Sequence, residues 1–181
     1  PDIIIHAGAI TDSNLVKSNP IIAINTNIIG TANLSNFCIQ YNKRLVYIST
    51  DYVYNGIQGN YKENDPILPH NEYAWTKLGG ECSVRLIPNH LIIRTSFGSN
   101  LFPYKQAWEN QIVSKDYVDI IAPMILKATK SDLIGILNIG TNPKSIYDYA
   151  IKKNPSVLPI KKETLLNLSL NTSKYEKLLN N

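Results

Sequence analysis

The sequence is poor in cysteine: Cys38 and Cys82 are the only two among 181 residues. They form no short-spaced metal or redox motif, and two thiols in a chain of this length do not make a disulfide scaffold. Long hydrophobic runs are also missing, and no stretch reaches the ~18 apolar residues of a membrane span. The first apolar run, Ile3-Ile4-Ile5, is short and follows Asp2 rather than a basic stretch, unlike a secretory signal. The Asn-x-Ser/Thr sequons at Asn33, Asn167 and Asn171 then read as chance matches, and a reducing cytoplasm is the expected compartment. Charge is sparse as well, at 18% of residues, with a net of +4. Residues 1–150 hold twelve Lys/Arg and twelve Asp/Glu, so the whole excess lies in 151–181, where six lysines face Glu163 and Glu176. That distribution argues against a nucleic-acid face across the body. Internal repeats and low-complexity segments are absent, and 44% hydrophobic residues fit a globular domain.

What is present is an alternation of strand and helix signals. Asp2-Ile3-Ile4-Ile5-His6 reads as a buried strand, followed by the small run Ala7-Gly8-Ala9. Asn19-Pro20 is a helix start, with the helix expected to run to about Tyr41. Strands follow at 44–48 and 90–94, separated by a Gly- and Pro-bearing loop at 51–70 and a helix over about 72–87 that Asn71 can cap. A helix near 117–130, a strand at 134–139, a short helix near 145–152 and a last helix near 174–179 complete the pattern. Such alternation predicts an α/β fold with a doubly wound parallel sheet, whose ligands bind at the carboxyl ends of its strands. Ala7-Gly8-Ala9, Ser49-Thr50-Asp51 and Thr95-Ser96-Phe97 occupy those ends.

Tyr73-Ala74-Trp75-Thr76-Lys77 places Tyr and Lys four residues apart, on one face of a helix. Trp75, Leu78, Cys82 and Leu86 form an apolar stripe roughly opposite, expected to be the packing face. A phenol with pKa near 10 is a poor acid at neutral pH, and a nearby ammonium lowers that value. A phenol tuned in this way can give a proton to a carbonyl oxygen, with Thr50 adding a second hydrogen bond. By itself Y-x-x-x-K also suits a solvated helix face; its force comes from the preceding strand, Ser49-Thr50-Asp51 and the loop between.

The ordered set Asn27-Ile28-Ile29-Gly30-Thr31-Ala32-Asn33-Leu34, Ile48-Ser49-Thr50-Asp51-Tyr52-Val53-Tyr54, Tyr73-Ala74-Trp75-Thr76-Lys77-Leu78-Gly79-Gly80-Glu81, Ile93-Arg94-Thr95-Ser96-Phe97, Asp116-Tyr117-Val118-Asp119 and Leu137-Asn138-Ile139-Gly140-Thr141 resembles the extended short-chain dehydrogenase/reductases. Within them it is similar to the dTDP-4-dehydrorhamnose reductase-like sugar-nucleotide reductases. The resemblance covers about 1–150 and implies a Rossmann-like NAD(P)-binding domain with lid elements in 97–130, followed by a basic tail at 151–181. It implies reduction of the 4-keto group of a nucleotide-linked deoxysugar by NADPH or NADH. Thr50, Tyr73 and Lys77 match the catalytic set, with Tyr73 as proton donor and Lys77 lowering its pKa and holding the nicotinamide ribose. Ala7, Gly8, Ala9, Ile48 and Ser49 match cofactor-lining positions, and Thr50, Asp51 and Phe97 match positions that touch the sugar nucleotide. Asn27 matches an asparagine with a structural or proton-relay role. Tyr52 stands where the related dehydratases carry Glu, which favours reduction over water loss. A homodimer is compatible with the resemblance; nucleic-acid or membrane partners are not expected.

The family's Gly-x-x-Gly-x-x-Gly phosphate loop does not occur in this sequence. The first strand corresponds to the family's fourth, so a fragment of a longer product is expected, and the selector between NAD and NADP is not readable. Two other functions stay open: a non-catalytic binding or regulatory subunit on the same scaffold, and a nucleotide-sugar epimerase or dehydratase. His6 reads as a satisfied core histidine, Asp116 and Asp119 as a solvated first helical turn or a metal pair. Lys152, Lys153, Lys161 and Lys162 read as a solvated tail or a phosphate contact, and Phe102, Tyr104 and Trp108 as lid packing or a base-stacking surface.

Overall fold

A computed structural model describes residues 1–180. In chain order its elements are β1 (Ile3–His6), α1 (Ser13–Ser18), α2 (Pro20–Ala23), a π-helical turn (Ile24–Ile29), α3 (Gly30–Gln40), β2 (Arg44–Thr50), a 3₁₀ turn (Asp51–Val53), α4 (Glu72–Val84), β3 (His90–Thr95) and β4 (Phe97–Gly98). Then come β5 (Gln106–Trp108), β6 (Gln111–Val113), β7 (Asp116–Tyr117), α5 (Val118–Thr129), β8 (Gly135–Asn138), β9 (Lys144–Ser145), α6 (Ile146–Ile151), β10 (Leu158–Ile160), β11 (Leu166–Asn167) and α7 (Ser173–Leu179). No helix among the described residues is long and apolar enough to cross a membrane.

The main sheet has the order β1-β2-β3-β8 and every pairing in it is parallel. This is the Rossmann-like α/β architecture that the alternating pattern predicts. Strands covered on both faces become continuous apolar runs, and β2 is buried along its whole length. Its residues divide by parity. Val46 and Ile48 pack with Leu91, Ile93, Ile121, Ala128 and Tyr175 on one face. Leu45 and Tyr47 pack with Cys38, Val84 and Ile92 on the other.

Three expectations change. β1 is a half-exposed edge strand, with Ile3 and Ile5 facing solvent, because only β2 pairs with it. The face of α4 that packs is not the expected stripe: Leu78 packs against the Val53–Tyr54 cluster, but Trp75, Cys82 and Leu86 (just past the helix) are exposed, whereas Ala74, Lys77, Gly80, Glu81 and Val84 are buried. Small residues decide this, since α4 lies so close to β2 that a Cβ on Gly80 would meet the Tyr47 hydroxyl and approach Asn27 O at 3.0 Å. Finally, 151–180 is no solvated tail. β10 pairs with β5 and β11 with β6, and Leu168, Leu170 and Tyr175 are buried. The alternation Leu166, Leu168, Leu170 is the sequence signal for that packing. Its lysines are engaged too: Lys152 reaches Asp116 at 3.2 Å, Lys153 reaches Asp119 at 2.7 Å, and Lys161 reaches Glu109 at 3.2 Å. Asp116 is consequently a buried ion-pair centre, also held by Lys144 at 3.2 Å, rather than part of a solvated turn.

Candidate active site

The carboxyl ends of β1, β2 and β3 open into one cavity of about 800 Å³. Ala7 and Ala9 line it from the loop after β1, Ile48, Ser49, Thr50 and Tyr52 from the end of β2, and Tyr73 and Lys77 from α4. Thr95, Ser96 and Phe97 line it after β3, and Tyr104, Trp108 and Lys115 close the remaining side. Thr50, Tyr73 and Lys77 are thus brought together. Of the other expected site residues, Gly8 and Asp51 do not line the cavity. Phe102 is buried against Tyr149.

The helix that carries the Tyr–Lys pair is set by its own start. Asn71 caps α4 by accepting from Ala74 N at 2.8 Å. The Thr76 hydroxyl donates to Tyr73 O at 2.8 Å. It also accepts from Asn27 Nδ2 at 2.8 Å. Asn27 sits in the π-helical turn, and its side chain is fully used there: Nδ2 donates to Ile10 O at 2.9 Å and Oδ1 accepts from Ile10 N at 2.8 Å. One asparagine therefore ties the loop after β1 to the helix bearing Tyr73, which fits the structural role implied for it. His6 lies beside this clamp at 2.9 Å from Thr31 Oγ1. Thr31 gives its own proton to Asn27 O at 2.7 Å, so His6 Nε2 is the donor and a satisfied histidine.

At the end of β2, Thr50 Oγ1 accepts from Tyr52 N and donates to Asp51 Oδ1, both at 3.2 Å. A carbonyl oxygen entering the cavity would compete for that proton. Tyr52 packs edge-on against Tyr73, with ring centroids 6.5 Å apart, and at 4.7 Å from the His70 ring. Burial pushes the Tyr73 phenol up to about 12, with the Asp51 charge adding to the rise and Thr50 opposing it. Burial brings Lys77 down to about 7, against the opposing field of Glu81. The Lys77 ammonium lies over the Tyr47 ring, 4.1 Å from its centroid, and Tyr47 is anchored by donating to Lys77 O at 3.2 Å.

Behind the cavity lies a second constellation that sequence reasoning did not bring together. Arg94 on β3 grips Glu81 on α4 with two bonds, Nε to Oε1 at 3.1 Å and Nη2 to Oε2 at 2.8 Å. Ser49 Oγ donates to Glu81 Oε1 at 2.5 Å and Arg94 Nη1 donates to Tyr54 OH at 2.9 Å. Glu81 follows Lys77 by one helical turn, so i,i+4 spacing was the available signal. Lys115 was also missed, because a lysine just before a short strand carries no motif.

The family model of the RmlD substrate binding domain matches residues 1–115. The chain is 30% identical over 156 residues to a dTDP-4-dehydrorhamnose reductase of Aggregatibacter actinomycetemcomitans, covering 84% of this chain and 53% of that protein. It is 38% identical over 159 residues to a Haloferax volcanii protein named "Probable low-salt glycan biosynthesis reductase Agl14", covering 83% of this chain and 51% of the other. The chain therefore spans about half the length of these curated relatives. A crystal structure of the Bacillus anthracis dTDP-4-dehydrorhamnose reductase in complex with NADP superposes with a TM-score of 0.84 at 26% identity, covering 99% of this chain and 73% of that one.

Proposed function

The chain belongs to the RmlD substrate binding domain family, and from that premise we propose that it reduces the 4-keto group of a nucleotide-linked 6-deoxysugar with NADPH or NADH. The observation that carries this reading is the convergence of Thr50, Tyr73 and Lys77 on one cavity at the carboxyl ends of the parallel strands. The cofactor fits the same wall on structural grounds. Ala7 and Ala9 leave room beside β1, Ile48 offers an apolar surface at the end of β2, and Lys77 offers a buried ammonium within the cavity. When bound, the nicotinamide supplies the hydride.

The chain's own residues do the rest. Thr50 and Tyr73 hold the carbonyl oxygen by two donated hydrogen bonds, which stabilise the negative charge that develops there. Tyr73 passes its proton to that oxygen. Lys77 steadies the ribose and offsets the charge left on the phenol. Phe97 and the lid residues Tyr104 and Trp108 wall off the sugar side. Tyr52 supports reduction over dehydration, because a phenol at that position offers no carboxylate to assist water loss. The exposed residues Trp75 and Cys82 on α4, with Leu86 just past its end, suit self-association, so a homodimer is part of the proposal.

The test is turnover by the protein as its organism makes it. Several nucleotide-linked 4-keto-6-deoxysugars are supplied with NADPH or NADH, and the product is read by NMR. A 4-hydroxy product is expected. Inversion or loss of water without net reduction, or no turnover on any of them, overturns the reading.

A further inference from the structure

The cavity wall holds three charged side chains, Asp12, Lys77 and Lys115. Asp12 is spent on capping α1, accepting from Asn14 N at 2.8 Å and Leu15 N at 3.2 Å. Lys77 stands at the catalytic end over Tyr47. Lys115 is different, since among the described residues its ammonium has no hydrogen-bond acceptor and no ion-pair partner. Its side chain is nevertheless held in place. The ammonium sits 5.5 Å from the centroid of the Tyr149 ring, and a Cβ on Gly98 would touch its Cε at 3.4 Å. Its backbone oxygen accepts from Lys144 Nζ at 3.0 Å. A fixed, partly buried cation that faces a cavity without a counter-ion is built to receive a negative group.

Asp51 is fully buried between the cavity-lining residues Thr50 and Tyr52, and among the described residues its Oδ2 has no hydrogen-bond partner.

We propose that Lys115 is the residue that holds the anionic diphosphate of the substrate. The proposal rests on the nucleotide-sugar reading above and adds a specificity-determining residue to it. A neutral sugar would not need this ammonium, whereas a diphosphate repays its desolvation with a full opposite charge.

The experiment is calorimetric titration of dTDP and of inorganic pyrophosphate into the natural chain and its Lys115→Met and Lys115→Arg variants. Circular dichroism melts certify that each is folded. Lys115→Met is expected to weaken dTDP binding by at least about tenfold, the scale of losing one desolvated charge contact. Lys115→Arg keeps the charge and should retain most of the affinity. Unchanged dTDP affinity in Lys115→Met overturns the assignment. Absence of turnover alongside Lys115-dependent dTDP binding would sink the reductase reading and leave this assignment standing; turnover with Lys115-independent binding would do the reverse.

Discussion

Replacing Glu81 by Gln should destabilise the fold severely although the change is isosteric. Glu81 and Arg94 are each about 1% exposed. Their bidentate pairing is completed by Ser49 Oγ on Glu81 and by the Tyr54 hydroxyl on Arg94. A buried pair in such geometry contributes little against an apolar alternative, but removing one partner strands the other charge in the interior at a cost of ~3–5 kcal/mol. In a domain of this size ~1 kcal/mol moves the melting temperature by about 2–4 °C, so Glu81→Gln should melt about 6–20 °C lower than wild type. Removing both charges together, Glu81→Leu with Arg94→Met, should cost far less than the two single changes added, because no charge is left unpaired. Thermal and urea unfolding followed by circular dichroism measure both quantities. A Glu81→Gln melt within about 2 °C of wild type, or strict additivity in the double variant, would refute the reasoning.

Further outcomes follow from the same geometry. Burial raises Asp51 to about 7 from 3.8. The raised value means its stabilising contribution is full below about pH 4 and is lost as pH rises through about 7. Asp51→Asn should therefore raise the melting temperature above wild type progressively between pH 4 and 8, which pH-dependent melts will show. Lys77 moves the other way, down to about 7 from 10.5. Its burial cost is full below about pH 7 and vanishes towards pH 10.5, so any stability gained in Lys77→Met at neutral pH should disappear in alkaline melts. Gly80→Ala drives a methyl into the Tyr47 hydroxyl and Asn27 O, and unfolding should show a loss of about 1–3 kcal/mol. Asn27→Ala leaves Ile10 N and O without their partners; it should lower stability by about 1–3 kcal/mol and weaken cofactor affinity in a fluorescence titration.

The sheet was legible in the sequence because β2 and β3 are short, β-branched apolar runs between clear loops, and that length, composition and flanking identify such strands. The convergence of Thr50, Tyr73 and Lys77 on one cavity was legible for a related reason: Thr50 ends a strand, and Tyr73 and Lys77 share a helical face by spacing. Burial direction was not. On α4 Trp75 and Cys82 of the apolar stripe point outwards and Lys77 and Glu81 inwards, because Gly80 permits close approach to Tyr47 and because Arg94, 13 residues along the chain, neutralises Glu81. Asp51 illustrates the same limit. Adjacency to Thr50 places it near the site, but the fold buries it completely and leaves it out of the cavity lining, which spacing does not reveal. The lysines of 151–180 looked solvated because their acidic partners, Asp116, Asp119 and Glu109, are remote in sequence.

The central claim, that Tyr73 protonates the substrate oxygen, is tested most directly by single-turnover reduction of a nucleotide-linked 4-keto-6-deoxysugar by wild type and Tyr73→Phe at saturating cofactor. The account predicts unchanged substrate affinity and a rate lower by about 10²–10⁴. A Tyr73→Phe rate close to wild type would contradict it.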